Sequence, residues 1–155
     1  MVEPLFFAAI GSDTVVGSSF TLGGPEAKHA VSVRRMSIGE AIAVSDGSGI
    51  KIRGRVSKLQ KETLELSVES IDEILPPNCQ LFLVQALAKG DRDELAIQAC
   101  TELGVFGVIP WQAERSISIW NAEKRQKGQT RWQAIVTEAA KQSLRAFIPK
   151  VGEVL

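Results

Sequence analysis

The feature that most constrains this chain is a change of hydrophobic period across Pro76-Pro77. Upstream, Ile52, Gly54 and Val56 alternate with Lys51, Arg53 and Arg55. Leu64, Leu66 and Val68 likewise alternate with Glu65, Ser67 and Glu69. A period of two belongs to strands with one face in a core and one in water. Downstream, an almost unbroken apolar run, Gln80–Ala88, is followed by apolar positions at helical spacing. Patterns segregated in this way predict two successive domains, 1–74 and 78–155, each closing its own core. The paired prolines favour extended backbone and cannot join a sheet interior, which suits a linker.

The first domain reads as short strands around one helix. Pro25 after Gly23-Gly24 is a suitable first helical residue and Glu26 suits a helix N-terminus. A helix over Glu26–Arg35 with Ala27, Ala30 and Val31 inward is expected. Ala41–Val44 and Ile50–Ser57 read as strands joined by the Asp46-Gly47-Ser48-Gly49 turn, and Thr63–Glu69 as another. Several short strands in so few residues suggest a small barrel. In the second domain, Gln80–Ala88 is expected to be a strand buried on both faces. Asp91 and Glu94 form a capping-box pattern, Leu95, Ala99, Cys100 and Leu103 an apolar stripe, and Gly104 a stop. Val105–Ile109 completes a right-handed parallel βαβ unit. A loop over 110–128 and a helix from Thr130 to about Arg145 follow, the helix burying Trp132, Ile135, Val136, Ala139 and Leu144. The fold class is mixed β and α/β.

Charge narrows the function classes. Lys/Arg and Asp/Glu balance at 18 each, so any nucleic-acid contact must come from a local patch. The first 77 residues carry eight basic against ten acidic groups and the remainder ten against eight. No apolar run reaches the length of a membrane span, and the N-terminus lacks the pattern of a signal peptide, so a cytoplasmic location is expected. Cys79 and Cys100 are read as buried free thiols. His29 is the only histidine, which excludes a multi-histidine metal site, and no metal is expected. Glycine-rich nucleotide loops and recognisable nucleophile settings are absent.

Three groups of residues can carry chemistry. Lys51, Arg53 and Arg55 share a strand face near Arg34 and Arg35. They either hold phosphates or form a solvated face balanced by Glu65 and Glu69. Arg115, in Glu114-Arg115-Ser116, follows a strand end where ligands of α/β sheets gather. It either clamps an anion with paired donors or ties its own loop. Glu138, Gln142 and Arg145 stand at i, i+4 and i+7, one polar helix face that meets either water or a substrate.

Taken in order, the residues resemble the RsmE family of small-subunit ribosomal RNA methyltransferases. The likeness rests on His29-Ala-Val-Ser-Val-Arg-Arg35, Gly39-Glu40, Asp46-Gly47, Ala88-Lys89-Gly90-Asp91 and Glu102-Leu103-Gly104-Val105. It continues through Pro110, Glu114-Arg115-Ser116, Arg131-Trp132, Ile135, Glu138-Ala-Ala-Lys-Gln142-Ser143, Arg145 and Pro149. The chain departs at Leu5, where the family carries a basic residue, and at Ala99, where a Lys is common. The resemblance implies a PUA-like RNA-binding β-barrel followed by the first part of a SPOUT methyltransferase domain. It implies a homodimer using S-adenosylmethionine to methylate N3 of a uridine in 16S ribosomal RNA of the small subunit. It implies RNA contacts at His29, Arg34, Arg35, Lys51 and Arg53, and catalytic roles for Arg115, Glu138, Gln142 and Arg145. Family members continue into a Gly-Pro-Glu-Gly-Gly loop and a Leu-Gly-x-Arg-Ile-Leu-Arg stretch that cradle the cofactor. Neither is present, so the cofactor residues are expected beyond Leu155 and the 155-residue chain is read as an inactive fragment. Two other readings are a non-catalytic RNA-binding module and a metabolite-binding α/β protein; the missing phosphate-cradling glycine loop weighs against Rossmann-type nucleotides.

Overall fold

The computed structural model describes residues 3–155 and divides after Leu75 into two compact units. In the first, β1 (Leu5–Phe7), β2 (Ser19–Gly23), β3 (Ala41–Ser45), β4 (Ile50–Leu59) and β5 (Thr63–Glu73) form one sheet in the order β1-β3-β4-β5-β2. Only the β1–β3 pair is parallel. The edge strands β1 and β2 lie at opposite ends of that order, so the sheet curls into a half-barrel rather than closing. Between β2 and β3, α1 (Gly24–Lys28) carries Pro25 in its first turn and widens into a π-type turn over His29–Val33.

The alternation read from the sequence sets the core. Ile52, Val56, Leu64, Leu66 and Val68 are all buried, with Ala27 and Ala30 from the helical segment. Burying each large aliphatic side chain contributes about 1.5–3 kcal/mol. Gly54 sits where β5 leaves no room for a side chain: a Cβ there would meet the Ser67 carbonyl oxygen at 1.9 Å. The ladder shifts register beside it, between Arg53 and Gly54, which increases the local bend. In the β3–β4 turn, one Asp46 carboxylate oxygen accepts from the Ser48 and Ile50 amides at 2.8 and 3.0 Å.

The second unit holds a parallel sheet, β6 (Phe82–Ala86), β7 (Gly107–Trp111) and β8 (Lys150–Val151), in sequential order. Helices α2 (Arg92–Leu103) and α3 (Ala122–Gln142) pack with it around Leu87, Ile97, Val108, Trp132 and Val136. Several expectations are corrected here. Strand β6 is an edge strand, and Leu81, Phe82 and Val84 are exposed, so the Gln80–Ala88 run is not buried on both faces. Helix α2 turns Asp93, Ile97 and Thr101 inward and leaves Leu95 and Leu103 at 59% and 87% exposure. The Asp91–Glu94 capping box does not form, because Glu94 pairs with Arg131 of α3 and Asp91 makes no side-chain cap. Strand β7 runs through Pro110 to Trp111, two residues beyond the expected end.

Helix α3 begins eight residues before Thr130, at Ala122. Asn121 caps it, its side chain accepting from the Lys124 amide at 3.1 Å. Its end also differs, since Leu144 adopts a left-handed φ of 58° and points outward at 36% exposure. Cys79 is exposed in the run after Pro77 rather than buried, while Cys100 is partly buried. Among the described residues, no helix is long and apolar enough to cross a membrane, and no cluster of three His, Cys, Asp or Glu side chains could hold a metal.

Candidate RNA interface and α/β cavity

The cations of the first unit fall into two kinds. On β4, the long side chains of a twisted strand reach acidic neighbours. Arg53 pairs with Glu3 at 2.9 Å and Asp72 at 3.6 Å, and Arg55 with Glu69 at 3.2 Å. Arg55 also donates to the Gly39 carbonyl at 3.0 Å. Lys51 departs from the expectation of an open face: it is 7% exposed. Burial, reinforced by the Arg53 guanidinium, lowers the affinity of its amine for a proton, against the opposing pull of Glu3 and Asp72.

Arg34 and Arg35 differ. Both are exposed at the end of the π-type turn and make no ion pair among the described residues. Arg35 holds a left-handed φ of 54°, unusual for a residue with a long side chain. His29 starts the same turn, half-buried, its ring meeting Phe6 edge-on at 6.0 Å between centroids. The half-barrel therefore offers Arg34 and Arg35, like the exposed Lys28 and Lys61, as uncommitted charge, whereas the β4 arginines are already shared with carboxylates. Leu5 is 3% exposed and serves the core.

In the second unit, the loop after β7 is stitched to the C-terminal end of β6. Ser116 Oγ donates to the Ser118 carbonyl at 2.8 Å and lies 3.3 Å from that of Leu87, while Ser118 Oγ donates to the Ala88 carbonyl at 2.7 Å. Arg115 lies in this anchored loop, exposed and without a hydrogen bond or ion pair among the described residues. Glu138 and Gln142 come together on α3, Gln142 Nε2 donating to Glu138 Oε1 at 2.9 Å, with Lys141 3.4 Å from the same carboxyl group. Arg145 does not join them. The helix ends at Gln142, the left-handed Leu144 redirects the chain, and the guanidinium donates to the Thr101 and Gly104 carbonyls at 2.7 and 3.3 Å. It thus satisfies carbonyls at the C-terminus of α2. Partial burial there lowers its proton affinity.

The sequence reading missed a cavity of about 390 Å³ at the end of β6. Its walls include Lys89, Gly90, Ser118, Trp120, Lys124 and Arg131. The Arg131 guanidinium grips both carboxylate oxygens of Glu94, one contact being 2.8 Å, and this hydrogen bonding strengthens its hold on its proton. Lys89 and Lys124 make no ion pair among the described residues. The signal for Lys124 was Asn121, a good N-cap followed by Glu123; Gly128 concealed it by resembling a helix breaker.

A curled sheet with uncommitted arginines precedes a parallel α/β unit whose cavity opens at a strand's C-terminal end. That is a PUA-like half-barrel followed by part of a SPOUT methyltransferase fold. A model described as the RNA methyltransferase domain matches residues 75–155, and one described as the RNA methyltransferase PUA domain matches residues 22–69. The chain belongs to the RNA methyltransferase family. Among its relatives, the ribosomal RNA small subunit methyltransferase E of Mycobacterium bovis is 38% identical over 155 residues, covering all of this chain and 58% of the relative. The protein of that name from Bacillus subtilis is 34% identical over 137 residues, covering 88% of this chain and 54% of the relative. The crystal structure of the Neisseria gonorrhoeae ribosomal RNA small subunit methyltransferase E bound to S-adenosyl methionine superposes with a TM-score of 0.83 at 28% identity. That match covers 99% of this chain and 62% of the other. The RsmE resemblance read from the residues is borne out by these matches, and the chain spans a little over half the length of those curated relatives.

Proposed function

We propose that this chain forms the RNA-holding domain (1–74) and the N-terminal portion of the catalytic domain (78–155) of an S-adenosylmethionine-dependent methyltransferase. The substrate is N3 of a uridine in 16S ribosomal RNA, on the small ribosomal subunit in the cytoplasm. The observation that carries this reading is the succession, in one chain, of a PUA-type and an RNA methyltransferase-type domain. The solved relative bound to S-adenosyl methionine supports the choice of cofactor. The cavity at the end of β6 does not fit that cofactor's sulfonium. The cavity's uncommitted charges, Lys89 and Lys124, are cations and suit an anion rather than a sulfonium. The cradle is assigned to the segment that the relatives carry beyond the matched region.

This chain's own residues hold and orient the substrate. Arg34 and Arg35, at the end of the turn that His29 starts, contact phosphates and fix register without reading sequence, while Arg53 reaches a phosphate only by giving up its pairing with Glu3 and Asp72. Lys51, being buried, contributes field rather than contact. Arg115, exposed on an anchored loop, donates to a uracil carbonyl and stabilises negative charge as N3 loses its proton. Glu138 and Gln142 act as a coupled pair that positions the base, and Arg145 fixes α3 against α2 so that this pair is presented correctly. The protein assembles as a homodimer.

The test continues this chain with the C-terminal segment of its relatives and supplies small ribosomal subunits with S-adenosylmethionine. One methyl group on N3 of one uridine is expected, and Arg115→Ala should lower kcat about 100-fold, the cost typical of one charge-stabilising donor. Methylation of protein or of ribose, or an Arg115→Ala variant as fast as the parent, would contradict the assignment.

A further inference from the structure

We propose that the cavity at the end of β6 binds one nucleotide of the RNA strand, with its phosphate held by Lys89 and Lys124 and its base against Trp120, Ile117 and Ile119. The choice of ligand rests on the reading of the protein as one that acts on RNA. The site itself rests on four observations.

The first is size and place. A volume of about 390 Å³ lies within the about 300–1,000 Å³ usual for small-molecule sites, and the cavity opens at the carboxyl end of a parallel strand. The second is charge. Of the ionic groups lining it, Arg131 and Glu94 neutralise each other in a two-point contact. Asp93 is 5% exposed and occupied, its oxygens accepting from the Ala88 amide at 3.2 Å and the Glu94 amide at 2.9 Å. What remains is the pair of lysines against the amide-bound Asp93 carboxylate, a net positive charge suited to a phosphate.

The third observation is preorganisation. The Ser118–Ala88 and Asp93–Ala88 hydrogen bonds fix both loops of the rim before any ligand arrives, lowering the entropic cost of binding. The fourth is the aromatic wall. Trp120 meets Trp132 edge-on at 5.2 Å between centroids and lies directly on the backbone of α3. A Cβ on Gly128 would stand 2.5 Å from its ring, so glycine at that position is what allows the indole to rest there. An aromatic wall, apolar isoleucines and two ammonium groups match the two faces of a nucleotide: a flat apolar base and a charged phosphate.

The experiment titrates the 155-residue chain with uridine 5′-monophosphate, uridine and inorganic phosphate, following the indole N–H resonances of the three tryptophans by NMR. The monophosphate should shift Trp120 and leave the resonance of Trp111, which does not line the cavity, in place. Uridine and inorganic phosphate should each bind at least tenfold more weakly, and Lys89→Ala with Lys124→Ala should cost tenfold or more. Gly128→Ala, which leaves every charge in place but displaces the indole, should also weaken binding; an unfolded variant would be revealed by its collapsed spectrum, and the lysine pair then decides. Equal affinity for uridine and its monophosphate, or binding indifferent to both lysines, overturns the proposal. Inorganic phosphate binding as tightly as the nucleotide overturns it too. A longer single-stranded RNA separates this inference from the reading it rests on. Loss of RNA binding with the monophosphate response intact counts against the RNA reading alone. RNA binding without any Trp120 response counts against the cavity alone.

Discussion

Lys51 and Arg145 show how a cationic side chain is spent on structure. Each stands where the sequence offers an open polar face, and each is drawn inward by its neighbours. Lys51 is 7% exposed beneath Arg53, Glu3 and Asp72, and its amine is held below the ordinary lysine range. A lowered pKa means that the unfolded chain binds the proton more tightly, so folding carries a cost at neutral pH. That cost is present in full below the folded-state pKa and is relieved as pH rises toward the ordinary value of about 10.4. Lys51→Met should therefore raise the melting temperature at pH 7 by a few degrees, with the advantage shrinking as pH is raised toward 10. A variant less stable than the parent at pH 7 would show that the attraction of Glu3 and Asp72 outweighs desolvation. The strand itself was legible from the alternation of residues 50–57. The depth of Lys51 was not, because period two distinguishes faces and does not report which acidic groups stand over them.

At the scale of elements, the half-barrel was easier to read than the α/β unit. Over residues 52–56 of β4 and 64–68 of β5 every second residue enters the core. In α2 the apolar residues occupy two adjacent stripes. Leu95, Ala99, Cys100 and Leu103 were the expected inward set, yet the buried residues are Asp93, Ile97 and Thr101. The choice is made by polar groups. Asp93 must reach the Ala88 amide, and the buried Thr101 hydroxyl donates to the Ile97 carbonyl within its own helix at 2.7 Å. Hydrophobicity alone cannot reveal that preference. Leu95→Gln with Leu103→Gln should leave unfolding by denaturant within about 0.5 kcal/mol of the parent, as for other exposed positions. Ile97→Ala should cost about 2–5 kcal/mol. The reverse order would restore the stripe read from the sequence. The early start of α3 has a similar origin, since its first two turns carry charged residues with no apolar period and are held by the Asn121 cap.

At the scale of the whole molecule, net charge is zero and the usual basic signature of an RNA-binding chain is absent. Pairing resolves this. Carboxylates pair with Arg53, Arg55, Lys58 and Arg131, whereas Arg34 and Arg35 on the half-barrel and Lys89, Lys124 and Arg115 in the α/β unit, like Lys28, Lys61, Arg92, Arg125, Lys127 and Lys150, make no ion pair among the described residues. The candidate site was thus legible as a family motif at Arg115 and Arg34-Arg35. The cavity was not, because it is assembled from two stretches, residues 88–94 and 117–132, that are separated in sequence. The central claim is that those uncommitted half-barrel arginines hold RNA by its phosphates. It is tested by the affinity of the 155-residue chain for single-stranded RNA across salt concentrations, with and without Arg34→Ala and Arg35→Ala. The account predicts weaker binding and a log–log salt slope reduced by about 1.4, or about 0.7 for each phosphate that is no longer neutralised. An unchanged slope, with both variants folded, would contradict it.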